Sequence, residues 1–167
     1  HIGTVDPNPL VSGKGIQALK EAGIVVHMGD MEDECRDLNL LFNHWIKNQT
    51  PLLAGKVATT IDGRTATHNG HSKWITSGKA RNDVMRWRRL FPAIAVGAGT
   101  VLADNPSLTS RLDGTEDWCP IRFVFDSQLQ TWPNTVVYSD NFRDRTILVT
   151  TQSAPAKIIS DIQDSSI

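Results

Sequence analysis

Phe91-Pro92-Ala93-Ile94-Ala95-Val96-Gly97-Ala98-Gly99-Thr100 packs a helix stop, a short strand and a small-residue turn into ten positions. Proline lacks the N–H a helix needs and clashes with the preceding turn, so Pro92 ends what comes before it. Residues 93–96 then read as a short buried strand. Gly97 to Thr100 follow at once, and small residues after a strand let a ligand approach the backbone. The same grammar recurs downstream: residues 121–125 form a strand ending at Asp126-Ser127, residues 146–150 form another, and Pro155 opens a helix. Upstream, Thr76 or Ser77 caps a helix carrying Ala80, Val84, Trp87 and Phe91 on one face, with Arg81 and Arg88 sharing another. Residues 52–61 are apolar and β-branched and end at Asp62-Gly63-Arg64, so a strand closed by a tight turn is expected there. Strand–helix alternation from residue 52 onward predicts an α/β sheet with helices packed on it.

The first 49 residues predict a turn, a helix, a short strand and a second helix. Asp6-Pro7-Asn8-Pro9 is turn chemistry. A helix over residues 15–22 stops at Gly23, the residue that accepts a left-handed cap. Ile24-Val25-Val26 reads as a buried strand. Leu38, Leu41, Phe42 and Trp45 fall at i, i+3, i+4 and i+7, one helical stripe. Glu32, Asp33 and Glu34 lie where the helix dipole favours acids, near its start.

Of the 167 residues, 40% are hydrophobic, too many for a disordered chain, yet no run of about 18 apolar residues offers a membrane span. Cys35 and Cys119 cannot form a disulfide framework, and neither belongs to a Cys-x-x-Cys pair, so a reducing, cytoplasmic setting is expected. The chain opens at His1 without a methionine or a basic-then-apolar signal, as expected of a trimmed sequence.

The net charge of −1 hides an asymmetry. Residues 56–111 hold nine Lys/Arg against three Asp/Glu, whereas both flanks are acidic. Such a middle third attracts small anions such as phosphates; its plainer alternative is a solvated helix face. Nucleic acid fits less well, because the flanks and the whole chain are not basic.

No metal site is expected. His68 and His71 flank Asn69-Gly70 in a loop, and no carboxylate or cysteine joins them at ligand spacing. There is no Gly-x-Ser-x-Gly elbow, and Ser12-Gly13-Lys14-Gly15 lacks the spacing of a phosphate loop.

Three clusters can carry chemistry: the strand Lys56-Val57-Ala58-Thr59-Thr60 with its turn; Ser72-Lys73-Trp74-Ile75-Thr76-Ser77 with the arginine-bearing helix after it; and residues 97–106, followed by Leu108-Thr109-Ser110-Arg111. Ligands of open α/β sheets bind at strand C-terminal ends, where the third cluster lies.

On residues 56–66, 72–88, 93–111 and 121–127 the chain closely resembles the reductase half of the bifunctional riboflavin-biosynthesis deaminase/reductase family. Asp6 to Pro9, Gly13-Lys14-Gly15 and residues 19–26 resemble the tail of that family's deaminase half. The resemblance implies residues 1–49 as a deaminase remnant with a connecting helix, and residues 50–167 as the N-terminal part of the reductase domain. It also implies a dihydrofolate-reductase-like sheet with helices on both faces, C-terminally incomplete. The implied reaction is NADPH-dependent reduction of the ribosyl group of a phosphorylated ribosylaminouracil to the ribityl form. A related reductase acting on another pyrimidine or pterin, or an inactive fragment, is the alternative.

By position, the resemblance makes Ala58, Trp74, Thr100, Asp104 and Ser127 cofactor contacts. Ser72, Arg88, Leu108 and Arg111 become substrate contacts, and Lys56 a lysine on the active-site strand. Hydride transfer needs the nicotinamide close to the electrophilic carbon, with the protein orienting it. Ring opening gives an imine-like carbon that accepts hydride more readily once its nitrogen is protonated, and Asp104 or Lys56 can assist that proton. Arg88 and Arg111 would clamp the substrate phosphate, since guanidinium groups bind oxyanions in bidentate fashion. Trp74 walls the nicotinamide or is a core residue; both readings stay open. Arg81, Arg86 and Arg89 are expected to be surface charges. The deaminase signature His-x-Glu with Pro-Cys-x-x-Cys is absent, so neither its zinc nor its hydrolase activity is expected in this chain. The family's glycine-rich pyrophosphate-binding segment and a substrate-contacting glutamate are not found before residue 167, so weak NADPH binding by the isolated chain and homo-oligomer formation are expected.

Overall fold

The computed structural model describes residues 1–165 apart from 113 and 115. The chain divides into two compact units, residues 1–57 and 58–167.

In the first unit, α1 (Lys14–Glu21) ends as the sequence predicts. Gly23 takes a left-handed φ of 77°, its N–H reaches the Lys20 carbonyl and the Ile24 N–H reaches that of Leu19. Those two bonds form a Schellman cap, which satisfies carbonyls the last turn would otherwise leave bare. Two expectations are corrected here. Residues 24–26 form no strand: Ile24 and Val25 are exposed, and the nearest pairing is a single bridge between Ile2 and Met28. A β-branched run becomes a strand only where a neighbour accepts its ladder bonds. The second helix is also two helices, α2 (Glu32–Leu38) and α3 (Leu40–Asn48), parted at Asn39. Asparagine competes for local backbone bonds and ends helices readily. The acidic start on Glu32, Asp33 and Glu34 is as expected.

The second unit holds α4 (Gly78–Leu90), β1 (Ala93–Gly97), α5 (Ala98–Asp104), β2 (Ile121–Phe125), β3 (Thr146–Val149) and α6 (Ala156–Asp164). The Ser77 hydroxyl accepts from the Ala80 N–H and caps α4, and the helix stops just before Pro92. The three strands form a parallel sheet in the order β1-β2-β3, with Ala93 opposite Ile121 and Arg122 opposite Thr146. The chain adopts the expected α/β class with these three strands, but β1, expected to be buried, alternates exposed and half-buried positions because, among the described residues, it has a strand on one side only. Parallel neighbours require crossovers. Here α5 lies in the first, and two 3-10 turns, Val136–Tyr138 and Arg143–Arg145, lie in the second.

Residues 52–61, expected to form a further strand, are irregular, with Leu53 and Ile61 almost fully exposed. No described strand lies beside them to pair with. Their Asp-Gly turn does form: Gly63 has φ 79°, its N–H reaches the Thr60 carbonyl, and Asp62 is bound by the Thr60 hydroxyl and Arg64.

The core lies on one face of the sheet. Val124 and Tyr138 pack there with Val101 of α5, Leu108 and Val137, backed by Ile94, Val96 and Leu148. Period-two alternation also turns Arg122 inward beside Val124, where it is wholly enclosed. Beyond β2, the buried Asp126 accepts from the N–H and hydroxyl of Thr131, and that hydroxyl meets the Tyr138 hydroxyl at 2.9 Å. Burial pushes the Asp126 carboxyl up, but these bonds and the N–H groups of Gln130 and Gln128 outweigh it, leaving its pKa below the ordinary value. Burial raises the Tyr138 phenol.

Candidate functional site

The cap at Ser77 fixes where α4 begins, and with it the face that carries Arg81, Met85 and Arg88. Trp74 lies just before the cap, and the Arg81 guanidinium stacks 4.4 Å from the centre of its ring while donating to the Thr76 carbonyl. A cation over an indole face is attracted by the ring's quadrupole, so the stack orients both groups. Beside it opens a groove of about 530 Å³, lined by Trp74, Gly78, Lys79, Arg81, Asn82, Met85 and Arg111. Trp74 is 72% exposed and lines the groove, so it is not a core tryptophan.

The 105–111 loop brings Arg111 to this groove and is held along its length. Asn105, in a left-handed conformation, accepts the Val136 N–H on its side-chain oxygen. Ser107 accepts from Arg122 through its carbonyl, and Thr109 accepts from Arg88. The Ser110 hydroxyl donates to the Met85 carbonyl of α4, and its backbone pairs with Trp118. Between these ties Leu108 has φ 57° with its side chain buried in the core. A left-handed non-glycine residue costs about 1–3 kcal/mol and persists where its surroundings over-determine it. The Leu108 side chain is therefore not available to a ligand.

Arg88 and Arg111 are neighbours. Burial, and then the charge of Arg111, holds the Arg88 guanidinium below the ordinary arginine range. The Arg88 Nε is enclosed and has no hydrogen-bond partner. An arginine half-buried within reach of a second cation's field is a place where an oxyanion would relieve the repulsion. Arg111 lines the groove, whereas Arg88 does not.

The other predicted site residues lie elsewhere. Thr100 on α5, Asp104 at its end and Ser127 after β2 are exposed, and the parallel register of Gly97 with Phe125 sets Thr100 and Ser127 beyond one strand-end edge. Ser72 is exposed two residues before Trp74, and Ala58 is partly buried at the start of the second unit. Lys56 is exposed in the first unit, in a segment that forms no strand.

The structure gives two further residues places the sequence did not suggest. Arg81, expected to be a surface charge, lines the groove; its place at i, i+4 and i+7 with Met85 and Arg88 was the available signal. Arg122 carried a signal too, being the one charged residue in Ile121-Arg122-Phe123-Val124-Phe125. Arg89, also read as a surface charge, is tied to the Glu116 carbonyl. Among the described residues no three His, Cys, Asp or Glu gather as metal ligands, and no helix is long and apolar enough to cross a membrane.

Residues 51–165 match the family described as the RibD C-terminal domain. The chain belongs to that family. It is 43% identical over 157 residues to the riboflavin biosynthesis protein RibD of Actinobacillus pleuropneumoniae, covering 94% of this chain and 41% of that one. With the RibD of Bacillus amyloliquefaciens it shares 48% identity over 135 residues, 80% of this chain and 36% of the relative. A crystal structure from Thermotoga maritima, described as a diaminohydroxyphosphoribosylaminopyrimidine deaminase/5-amino-6-(5-phosphoribosylamino)uracil reductase, superposes with a TM-score of 0.73 at 35% identity. That superposition covers 99% of this chain and 49% of that one. The chain thus spans well under two thirds of the relatives it matches.

Proposed function

We propose that this chain is the reductase part of an enzyme that uses NADPH to reduce the ribosyl group of 5-amino-6-(5-phosphoribosylamino)uracil to its ribitylamino form. The observation that carries the reading is the groove beside Trp74 with Arg111 in its lining, together with the half-buried Arg88, which feels the Arg111 charge. A terminal sugar phosphate is the ligand such a pair accommodates best.

The residues suit the cofactor: an exposed indole at a groove bearing Lys79, Arg81 and Arg111 fits a flat ring on a polyphosphate. Ala58, Trp74, Thr100, Asp104 and Ser127 would hold it, and when bound it supplies the hydride. Ser72, the Leu108 backbone, Arg88 and Arg111 would hold the substrate, the arginines at its phosphate. Asp104 or Lys56 would deliver a proton to the ribosyl nitrogen as the ring opens. Residues 1–49 belong, in the same reading, to the end of a deaminase domain whose zinc site lies outside this sequence. The protein works in the cytoplasm as a homo-oligomer.

The test is loss of reduced-nicotinamide absorbance by the full-length protein, with the substrate and without it. Turnover that needs both supports the proposal, and turnover of a pterin instead overturns it. Arg111→Ala should raise KM about tenfold with kcat little changed, the signature of a lost charged hydrogen bond made equally before and during reaction. An unchanged KM in both Arg88→Ala and Arg111→Ala would remove the phosphate clamp.

A further inference from the structure

We propose that the buried Arg122, paired with the half-buried Asp140, positions the anion-binding groove by fixing the 105–111 loop, and so sets where Arg88 and Arg111 stand. The inference rests on the reading of that groove as the substrate-phosphate site.

Arg122 is a braced strut. Its Nε donates to the Thr146 hydroxyl at 2.9 Å, and Nη2 to the Val137 and Phe142 carbonyls at 2.8 and 2.7 Å. Asp140 grips the fork at both ends, Oδ2 to Nη1 at 2.7 Å and Oδ1 to Nη2 at 2.9 Å. Those bonds all lie on the side of the second crossover and β3. One remains: Nη1 donates forward to the Ser107 carbonyl at 3.0 Å. Two residues further on, the Thr109 carbonyl takes Arg88, and Ser110 ties the loop to α4 at Met85 with a 2.8 Å bond. Arg111 follows immediately and enters the groove. The strut and Arg88 therefore hold the loop on either side of Leu108, the residue with positive φ.

Stability alone does not account for such a pair. Well-packed apolar residues replace buried ion pairs with little loss and often a gain. What they cannot supply is direction: a planar fork with five donors sets the position of each carbonyl it reaches. Asp140 keeps the fork in one plane, so its effect on the groove passes through Arg122 and Ser107. It is a positioning residue.

The experiment compares Asp140→Asn with Thr146→Val in the full-length protein. Both remove a partner of Arg122, but Asp140 holds Nη1, the nitrogen that reaches the loop at Ser107, whereas Thr146 holds only Nε. Calorimetric titration with inorganic phosphate, KM and kcat for the phosphoribosylaminouracil, and Tm are measured for each. Asp140→Asn should weaken phosphate binding and raise KM by on the order of tenfold with kcat within about twofold, a coupling of ordinary size for linked neighbours. Thr146→Val should lower Tm while leaving phosphate affinity and KM in place. In an Arg111→Ala background the Asp140→Asn loss should shrink, because one of the two groups being positioned is gone. Should Asp140→Asn fail to fold, Ser110→Ala, which releases the loop from α4, carries the same expectation. Unchanged phosphate affinity in a folded Asp140→Asn or Ser110→Ala protein would overturn the proposal. So would equal losses with and without Arg111, or a Thr146→Val loss as large as that of Asp140→Asn. If the unmodified protein binds phosphate but does not turn the substrate over, the reaction assigned above fails, while the phosphate titrations still decide the positioning role.

Discussion

Residues 1–100 and residues 101–154 are both rich in apolar side chains, yet every buried residue among those described falls in the second stretch. Leu38, Leu53, Val57 and Ile61 are as hydrophobic as Val101, Val124 and Val137, but only the latter group has a sheet face to pack on. Hydrophobic burial stabilises in proportion to the area removed from water, so the first stretch contributes little per residue and the second a great deal. The difference is one of partners. β2 has a strand on each side, whereas residues 24–26 and 52–61 have none among the described residues.

The sharpest way to break this contrast is Arg122→Ala. It strands the Asp140 carboxylate and empties the acceptors at Ser107, Val137 and Phe142, and should cost about 3–5 kcal/mol in urea unfolding followed by circular dichroism. The paired Arg122→Met with Asp140→Leu should lose far less, since no unpaired charge stays behind. If the single variant cost no more than the double, the density of the 101–154 region would owe nothing to this pair. Val137→Ala, at a fully enclosed position, should cost roughly 1.5–3 kcal/mol.

A pH experiment sharpens the contrast next. Because Asp126 has its folded pKa depressed, its contribution is fully present above the unfolded value near 3.8 and is lost as pH falls through the lower folded value. Asp126→Asn should flatten that acid limb of the unfolding curve, and an unchanged limb would count against the Asp126–Thr131 bonds. Smallest of all, Leu53→Ser and Ile61→Ser should leave stability within about 0.5 kcal/mol, despite deleting large apolar groups. A loss above 2 kcal/mol at either position would mean that the 52–61 segment is covered in the full-length protein.

The sequence was legible where local chemistry decides the outcome. Ser77, Gly23, Pro92 and the Asp62-Gly63 turn all act within a few residues, and each does what its side chain dictates. It misled where a distant partner decides: residues 24–26 and 52–61 carry the strand pattern without a strand beside them, and Asn39 splits a stripe that reads as continuous. The site divided the same way. Trp74 and Arg111 line one groove, Arg88 is not in its lining, and Leu108 turns its side chain into the core. Arg81 looked like one charge among many until its stack on Trp74 placed it. Arg122 lay hidden because an inward arginine is sensible only once Asp140 and three carbonyls, far along the chain, converge on it.

Tyr138 is the chain's single tyrosine, enclosed and bonded to Thr131 beside the acid that anchors the turn after β2. Its phenolate band in an alkaline titration should therefore emerge late and rise with the collapse of tertiary order, giving one native chromophore that reports, without any label, whether the interior has opened.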